Sequence, residues 1–336
     1  KARSAVNWWK ALDKALIKYG DQAEIALSQH LWPVWDNARV KDYIASQRDM
    51  YKYINDQSLN LINKGYNMDE VAEKLALPDS IGKRWSNRGY YGSLSHNAKA
   101  MYMFYMGWYD SNPANLNPLP EKEVAPRYVR LMGGEEKVYQ QAKQAADSGN
   151  YRWAAQLLNH LIFANPDNKQ AKDLQADIFT QLGYQSENAI WRNEYLSGAK
   201  ELRDGVPVLP VASTLDSDLT ASIPPETLLD YMGVTLNGPK ADGKTLRFNW
   251  TVPEGDTYGV ELNNSVIIYR KGQPFTDAAF SLKANVVDVA RLISHSAPVD
   301  KILNDGTVSM KGNPQKLDEL LALLDVFPQM FNIVTP

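Results

Sequence analysis

Apolar residues recur at the three-to-four spacing of helices up to about Asp204 and, beyond a proline-rich stretch, alternate at the spacing of strands. Trp8, Trp9, Leu12, Ala15 and Leu16 form a first stripe, predicting an amphipathic helix that ends near Tyr19-Gly20, where glycine can take the left-handed cap. The apolar run Ile25-Ala26-Leu27 predicts a short strand, with His30 in the loop after it. Helix, strand, then loop at the strand's carboxyl end is the grammar of an α/β layer. A piece of about 39 residues cannot close a core alone, so residues 1–39 are expected to complete a sheet supplied from elsewhere.

From Val40 onward the pattern is helical. Val40, Ile44, Tyr51, Ile54, Leu61 and Ile62 mark one long face that stops at Gly65, and Asn67 with Glu70 makes a capping-box start for a short helix ending before Pro78. An aromatic- and Met-rich segment, Gly89–Gly107, leads into Asp110–Pro120, whose prolines and asparagines demand an ordered loop. Between Glu135 and Gly183 the helices come in pairs. Gly149-Asn150-Tyr151 with Ala154, Ala164 and Asn165-Pro166 has the spacing of one tetratricopeptide unit, and one unit cannot form a solenoid. Residues 40–205 therefore read as a single helical domain that offers apolar surface to another subunit.

Residues 206–225, opening Val206-Pro-Val-Leu-Pro and closing Ile223-Pro224-Pro225, read as a linker to a third region, 226–336. There, Thr245–Val252, Gly259–Leu262 and Ser265–Arg270 predict strands, the last two joined by a tight turn at Asn263-Asn264. Ala279–Ala284 adds a strand, Asn285 with Asp288 caps a helix through Leu292, and Leu317, Leu320, Leu321 and Leu324 line a final helix. The whole is a multidomain α and α+β architecture, and its last layer is suited to enclosing a lipid-like tail.

Composition narrows the function. With 36 basic against 39 acidic residues, and no basic tract, nucleic acid is not an expected partner. No apolar run approaches the ~20 residues of a membrane span. Cysteine is absent, which removes thiolate metal sites and a cysteine nucleophile from these residues. The start, Lys-Ala-Arg-Ser, has neither an initiator Met nor a signal-peptide pattern, and is expected of a piece of a longer protein. There is no Gly-x-Gly-x-x-Gly, Walker loop, His-Glu-x-x-His or Gly-x-Ser-x-Gly. Four histidines remain. His160 and His295 read as surface or capping residues; His30 reads either as a packed residue beside Trp and Pro or as a metal ligand. His96 lies in Tyr90-Tyr91-Gly92-Ser93-Leu94-Ser95-His96-Asn97, hydroxyls, an imidazole and an amide at a helix mouth. Such a mouth can orient an anion, or Ser95 can simply cap the helix while the aromatics pack the core.

Taken together, Ser28–Asn37, Tyr91-Gly92-Ser93-Leu94-Ser95-His96-Asn97-Ala98-Lys99-Ala100, Gly107-Trp108-Tyr109-Asp110, Asn112-Pro113-Ala114-Asn115-Leu116, Arg127-Tyr128-Val129 and Met132-Gly133-Gly134 resemble the linear alkyl sulfatases of the metallo-β-lactamase superfamily. The resemblance implies three parts: the end of an αββα zinc-hydrolase domain (1–39), a helical dimerisation domain (40–205) and, after the linker, a sterol-carrier-protein-like α+β domain (226–336). It places the family's last metal-binding histidine on His30, with Pro33 and Trp35 in place. Gln29 stands where Ser is common, and Asp36 where Gly is common. The family's His-x-His-x-Asp-His cluster, its glutamate ligands and a sulfate-binding arginine correspond to positions before Lys1.

The implied function is hydrolysis of alkyl sulfate esters such as dodecyl sulfate to an alcohol and sulfate, with two Zn²⁺ per subunit activating water. On this reading the chain alone is inactive and works with an N-terminal catalytic portion, in cis or as a separate chain. It forms a homodimer through the helical domain and is exported to the bacterial periplasm or medium. Tyr90, Tyr91, Ser95, His96 and Asn97 are the expected substrate-binding residues. Two other readings keep the same residues: a non-catalytic module that binds alkyl chains and dimerises, and a metallo-β-lactamase-fold hydrolase of a different ester.

Overall fold

Ser4 accepts a hydrogen bond from the Asn7 amide and so opens helix α1, Ala5–Tyr19. In the computed structural model, which describes residues 2–207 and 220–336, this helix begins the first of two units, Lys1–Val206 with Asn332–Pro336; the second is Pro207–Phe331. Gly20 ends α1 in a right-handed conformation (φ −54°) rather than the expected left-handed one, and a Cβ there would stand 2.3 Å from the Leu16 carbonyl oxygen. The glycine thus serves close approach, not a positive φ.

Strand β1, Ile25–Ala26, pairs antiparallel with β2, Val34–Trp35, putting Ile25 opposite Trp35 and Ala26 opposite Val34. Strand β2 lies within the stretch that the apolar pattern assigns to the His30 loop. Asn37 donates to the carbonyls of Gly20 and Ala23 (2.7 and 2.9 Å), tying the turn before β1 to helix α2, Asn37–Ile62. Helix α1 packs along α2, with Trp8 stacked on Tyr51.

Asn67 and Glu70 form the expected reciprocal capping box of α3, Met68–Lys74. A single helical turn, α4, Asp79–Gly82, precedes α5, Leu94–Met106. Ile54, Val71, Leu75, Ala98, Met101 and Tyr102 close a core between α2, α3 and α5. The Asp110–Pro120 segment is a loop with one 3₁₀ turn, Pro113–Asn115, after which come α6, Glu121–Leu131, and α7, Glu135–Asp147. Helices α8, Tyr151–Ala164, α9, Lys169–Gln185, and α10, Ala189–Asp204, complete the unit. Pairing of α7 with α8 and of α9 with α10 encloses Val138, Leu158, Leu161, Ile162 and Ile178. Glu201 on α10 accepts the amides of Ile333 and Val334, which anchors the chain's last residues there.

Most of the expected 206–225 linker, residues 208–219, lies outside the described residues. The second unit contains α11, Pro225–Thr235, and the turn α12, Gly238–Ala241. Strands β3, Leu246–Thr251, β4, Thr257–Asn263, and β5, Val266–Lys271, follow, then β6, Phe280–Lys283. Helices α13, Val286–Ile293, and α14, Val299–Asn304, precede β7, Ser309–Gly312, and α15, Pro314–Leu321. The sheet order is β5-β4-β3-β6-β7, antiparallel except for β3 with β6.

The β4–β5 turn sits one residue later than the pattern suggested: Asn263 pairs with Val266, and Asn264 and Ser265 take the positive φ angles (49° and 59°). Alternation puts Phe248, Trp250, Tyr258, Val260, Phe280 and Leu282 on one sheet face, under α11, α13 and α15. This α+β core is filled. The cavity between Trp250, Phe280, Leu292 and Leu320 has a volume of about 20 Å³, room for a single water and not for an alkyl tail. Among the described residues no helix is long and apolar enough to cross a membrane.

Candidate functional site

The β1–β2 connection presents His30 at φ 65°, a left-handed conformation that is uncommon for a residue with a side chain. What holds it is a ring stack: the His30 imidazole lies parallel to the Tyr91 ring at 3.5 Å between centroids, with an interplanar angle of 1°. On the same loop the Ser28 hydroxyl meets that of Tyr43, on α2, at 2.8 Å. Asp36, where the resemblance gives Gly as common, has φ 77°, which glycine adopts freely and aspartate tolerates. Its carboxylate recovers part of that cost by accepting from the amides of Ala38 and Arg39 at 3.0 and 3.2 Å, capping α2.

The Tyr91 side of the stack is built by residues far away in sequence. Asn87, buried at 6% exposure, donates to the Ser46 hydroxyl at 2.8 Å and the Ile81 carbonyl at 3.0 Å and accepts from Gln47 at 2.6 Å, docking the segment before the tyrosines on α2. Arg84 pairs with Asp42 at 2.6 Å, and that carboxylate raises the guanidinium pKa further. On the other side, the Ala189 amide donates to the Tyr90 carbonyl at 3.0 Å, and the Asn188 side-chain amide donates to the Tyr91 carbonyl. Arg88 reaches Glu187 at 2.6 Å. The start of α10 thus grips the whole Arg88–Tyr91 segment.

Ser93, not Ser95, caps α5, its hydroxyl accepting from the His96 amide. Ser95 and Asn97 therefore fall in the first turn of the helix, half-buried. His96 is exposed, and its Nδ1 accepts from the Trp191 indole at 3.4 Å. The structure joins His30 to Tyr91 by direct contact, joins His96 to α10, and places Tyr90 beside Trp85, with ring centroids 5.7 Å apart. His160 and His295 lie elsewhere: His160 Nδ1 is 2.8 Å from the Glu121 carboxylate, and His295 turns the chain after α13 at φ 51°.

Downstream, the last turn of α5 exposes Met103, Phe104, Tyr105 and Met106 in succession, and Trp108 is 64% exposed beyond it. Asp110 closes this aromatic run. It accepts from the Asn112 amide at 2.9 Å and the Asn115 side chain at 2.6 Å, which hold its carboxyl below the usual range. Asn188, Glu187 and Trp191 were not singled out from the sequence. The legible signal was an asparagine just before the helix Ala189-Ile190-Trp191, a capping pattern whose second hydrogen bond only tertiary structure reveals.

Chemically the arrangement offers the imidazoles of His30 and His96, the phenols of Tyr90 and Tyr91, hydroxyls and an amide around the start of a helix. Among the described residues no three His, Asp or Glu side chains come together as a metal site. Two imidazoles, one of them with its Nδ1 accepting from Trp191, fall short of the three or four donors that a zinc ion requires, so these residues do not by themselves fit zinc.

Two family models match the chain: alkyl sulfatase dimerisation over residues 67–205 and alkyl sulfatase C-terminal over residues 213–336. A linear primary-alkylsulfatase of Pseudomonas sp is 40% identical over 337 residues, covering 100% of this chain and 50% of that protein. An (R)-specific secondary-alkylsulfatase of Pseudomonas sp is 41% identical, covering 100% of this chain and 51% of that protein. The alkyl/aryl-sulfatase BDS1 of Saccharomyces cerevisiae is 40% identical, with 100% and 52% covered. The structure of the stereoselective inverting sec-alkylsulfatase Pisa1 from Pseudomonas sp. superposes with a TM-score of 0.91 at 40% identity, over 99% of this chain and 53% of that one. The chain spans about half the length of the curated relatives it matches. With both domain models in sequence and the whole of this chain aligned with about half of each relative, the chain carries the alkyl sulfatase dimerisation and C-terminal domains.

Proposed function

We propose that this chain is the C-terminal part of an enzyme that hydrolyses alkyl sulfate esters to an alcohol and sulfate. The observation that carries the reading is the His30–Tyr91 stack: it brings the one histidine that the family resemblance makes a metal ligand against the start of the segment expected to bind substrate. The names of the relatives support the reaction class.

On this reading His30 contributes a single imidazole to a zinc site whose other donors belong to a preceding catalytic portion. Residues 1–39 are the end of that portion's metallo-β-lactamase-like fold. The Tyr91 hydroxyl, Ser95 and Asn97 donate hydrogen bonds to oxygens of the sulfate group, and His96 lies at the same helix mouth, oriented by Trp191. The alkyl tail leaves water on the exposed aromatic and methionine side chains between Tyr90 and Tyr109, where each buried CH₂ contributes about 0.8 kcal/mol. Phe104, Tyr105 and Trp108 are exposed there.

The helical domain pairs two copies, a reading supported by the description of the family model over residues 67–205. The C-terminal domain, sterol-carrier-like in this reading, offers its outer surface to alkyl chains, since its interior is filled. Export to the bacterial periplasm or medium rests on the resemblance alone.

The test is sulfate release from dodecyl sulfate by the protein that includes the preceding portion, measured with and without a chelator. Chelator-sensitive release is expected. A protein that releases no sulfate, or releases it equally after complete metal removal, contradicts the proposal.

A further inference from the structure

Asn188 makes hydrogen bonds in two directions with one side chain. Its Oδ1 accepts from the Trp191 amide at 2.7 Å, which caps α10. Its Nδ2 donates to the Tyr91 carbonyl, across 97 residues of sequence. The side chain is buried, 6% exposed, so neither bond is replaced by water at no cost when it is lost. Beside it the Ala189 amide donates to the Tyr90 carbonyl at 3.0 Å. Two successive carbonyls of the tyrosine segment are therefore fixed by two successive residues of α10.

A fixed Tyr91 backbone fixes the point from which the ring projects and so narrows the positions it can reach, and the Tyr91 ring is the surface on which His30 lies at 3.5 Å. Trp191, one turn into the same helix, donates to His96 at 3.4 Å. We infer that Asn188 is a positioning residue: through the Tyr91 carbonyl it sets the Tyr91 ring and, through that ring, His30, so that the start of α10 governs the geometry of the site from within the helical domain. This rests on the sulfatase reading for its consequence in catalysis, but not for the clamp itself.

The two bonds can be separated by substitution. Asn188→Asp and Asn188→Ser both keep an oxygen that caps α10. Aspartate brings no donor to the Tyr91 carbonyl, and the serine hydroxyl is too short to reach it. Both are made in the full-length protein. Expected in both is a lowered thermal midpoint, because the lost bond is buried, with backbone amide exchange in residues 88–93 faster by about tenfold and unchanged exchange in the first turns of α10, where the cap is kept. With dodecyl sulfate, kcat/KM falls by at least about tenfold in both variants, while Asn188→Ala, which removes the cap as well, lowers the thermal midpoint further.

Unchanged exchange at residues 88–93 in both capping variants would overturn the clamp. Faster exchange with kcat/KM within about twofold of wild type would overturn the positioning role. A wild-type protein inactive on alkyl sulfates would instead remove the sulfatase reading, and the exchange data alone would then decide whether Asn188 holds the loop.

Discussion

Truncation of Tyr91 releases His30, and the energies involved are nearly matched. His30 is held at φ 65°, a left-handed conformation that costs a residue with a Cβ roughly 1–2 kcal/mol. A stacked aromatic pair contributes about 0.5–1.5 kcal/mol beyond area burial, and the His30–Tyr91 pair, parallel at 3.5 Å, is the contact that faces this strain. The loop between β1 and β2 is closed by a two-residue ladder and tethered by the Ser28–Tyr43 hydroxyl contact, and the stack adds to these at His30 itself. Tyr91→Ala is therefore expected to shift the local equilibrium of residues 27–33 by about 1 kcal/mol, which speeds their amide exchange roughly fivefold. Tyr91→Phe keeps the ring and leaves that exchange unchanged, while losing the hydroxyl proposed to contact sulfate. Hydrogen exchange with peptide mass spectrometry, on both variants of the full-length protein, reads the two effects apart from activity. Exchange in Tyr91→Ala that matches wild type, or exchange in Tyr91→Phe as fast as in Tyr91→Ala, refutes the argument.

In the C-terminal unit, Phe280 is 1% exposed and stacks on Phe248 at 4.8 Å. Phe280→Ala is expected to lower stability by about 3–5 kcal/mol, and a urea midpoint within error of wild type would contradict the packing described. Tyr258 has its pKa raised to about 12, first by burial and then by its hydrogen bond to Glu226. Because the folded state keeps this proton longer than the unfolded chain, the stability it contributes is complete below about pH 10 and is lost as pH rises toward 12. Thermal midpoints across that window should fall in wild type and fall less steeply in Tyr258→Phe; parallel curves would count against it.

Local signals were legible where one short stretch decides the outcome. The Asn67–Glu70 capping box, the Asn285 cap of α13 and the alternating strands of the C-terminal sheet all follow from neighbours in sequence, and all are present. Errors arose where two local solutions have similar energy. Ser93 and Ser95 are both competent caps for α5, and the tertiary docking of the tyrosine segment chooses Ser93. Asn263, Asn264 and Ser265 all tolerate a tight turn, and the inward pairing of Leu262 with Ile267 sets the register one residue later. The short strand β7 carries little apolar pattern, with mostly exposed residues, and is defined by its pairing to β6.

The site was legible only in halves. His30 and the Tyr90–Asn97 segment stand out as residue types, and the family resemblance draws them into one function. Their contact depends on a stack across 61 residues and on the grip of Asn188 and Ala189 across about 97, which no periodicity encodes. The filled interior of the C-terminal domain was equally invisible, because an apolar sheet face reads the same whether helices seal it or leave it open.

The central claim, that His30 is one donor of a zinc site completed by a preceding portion of the protein, is tested most directly by metal content. Zinc per subunit is measured in the full-length protein and in its His30→Ala variant, each purified without added metal and checked for folding by circular dichroism. Close to two zinc ions per subunit are expected in wild type and clearly fewer in the folded variant. Equal zinc in both proteins would contradict it.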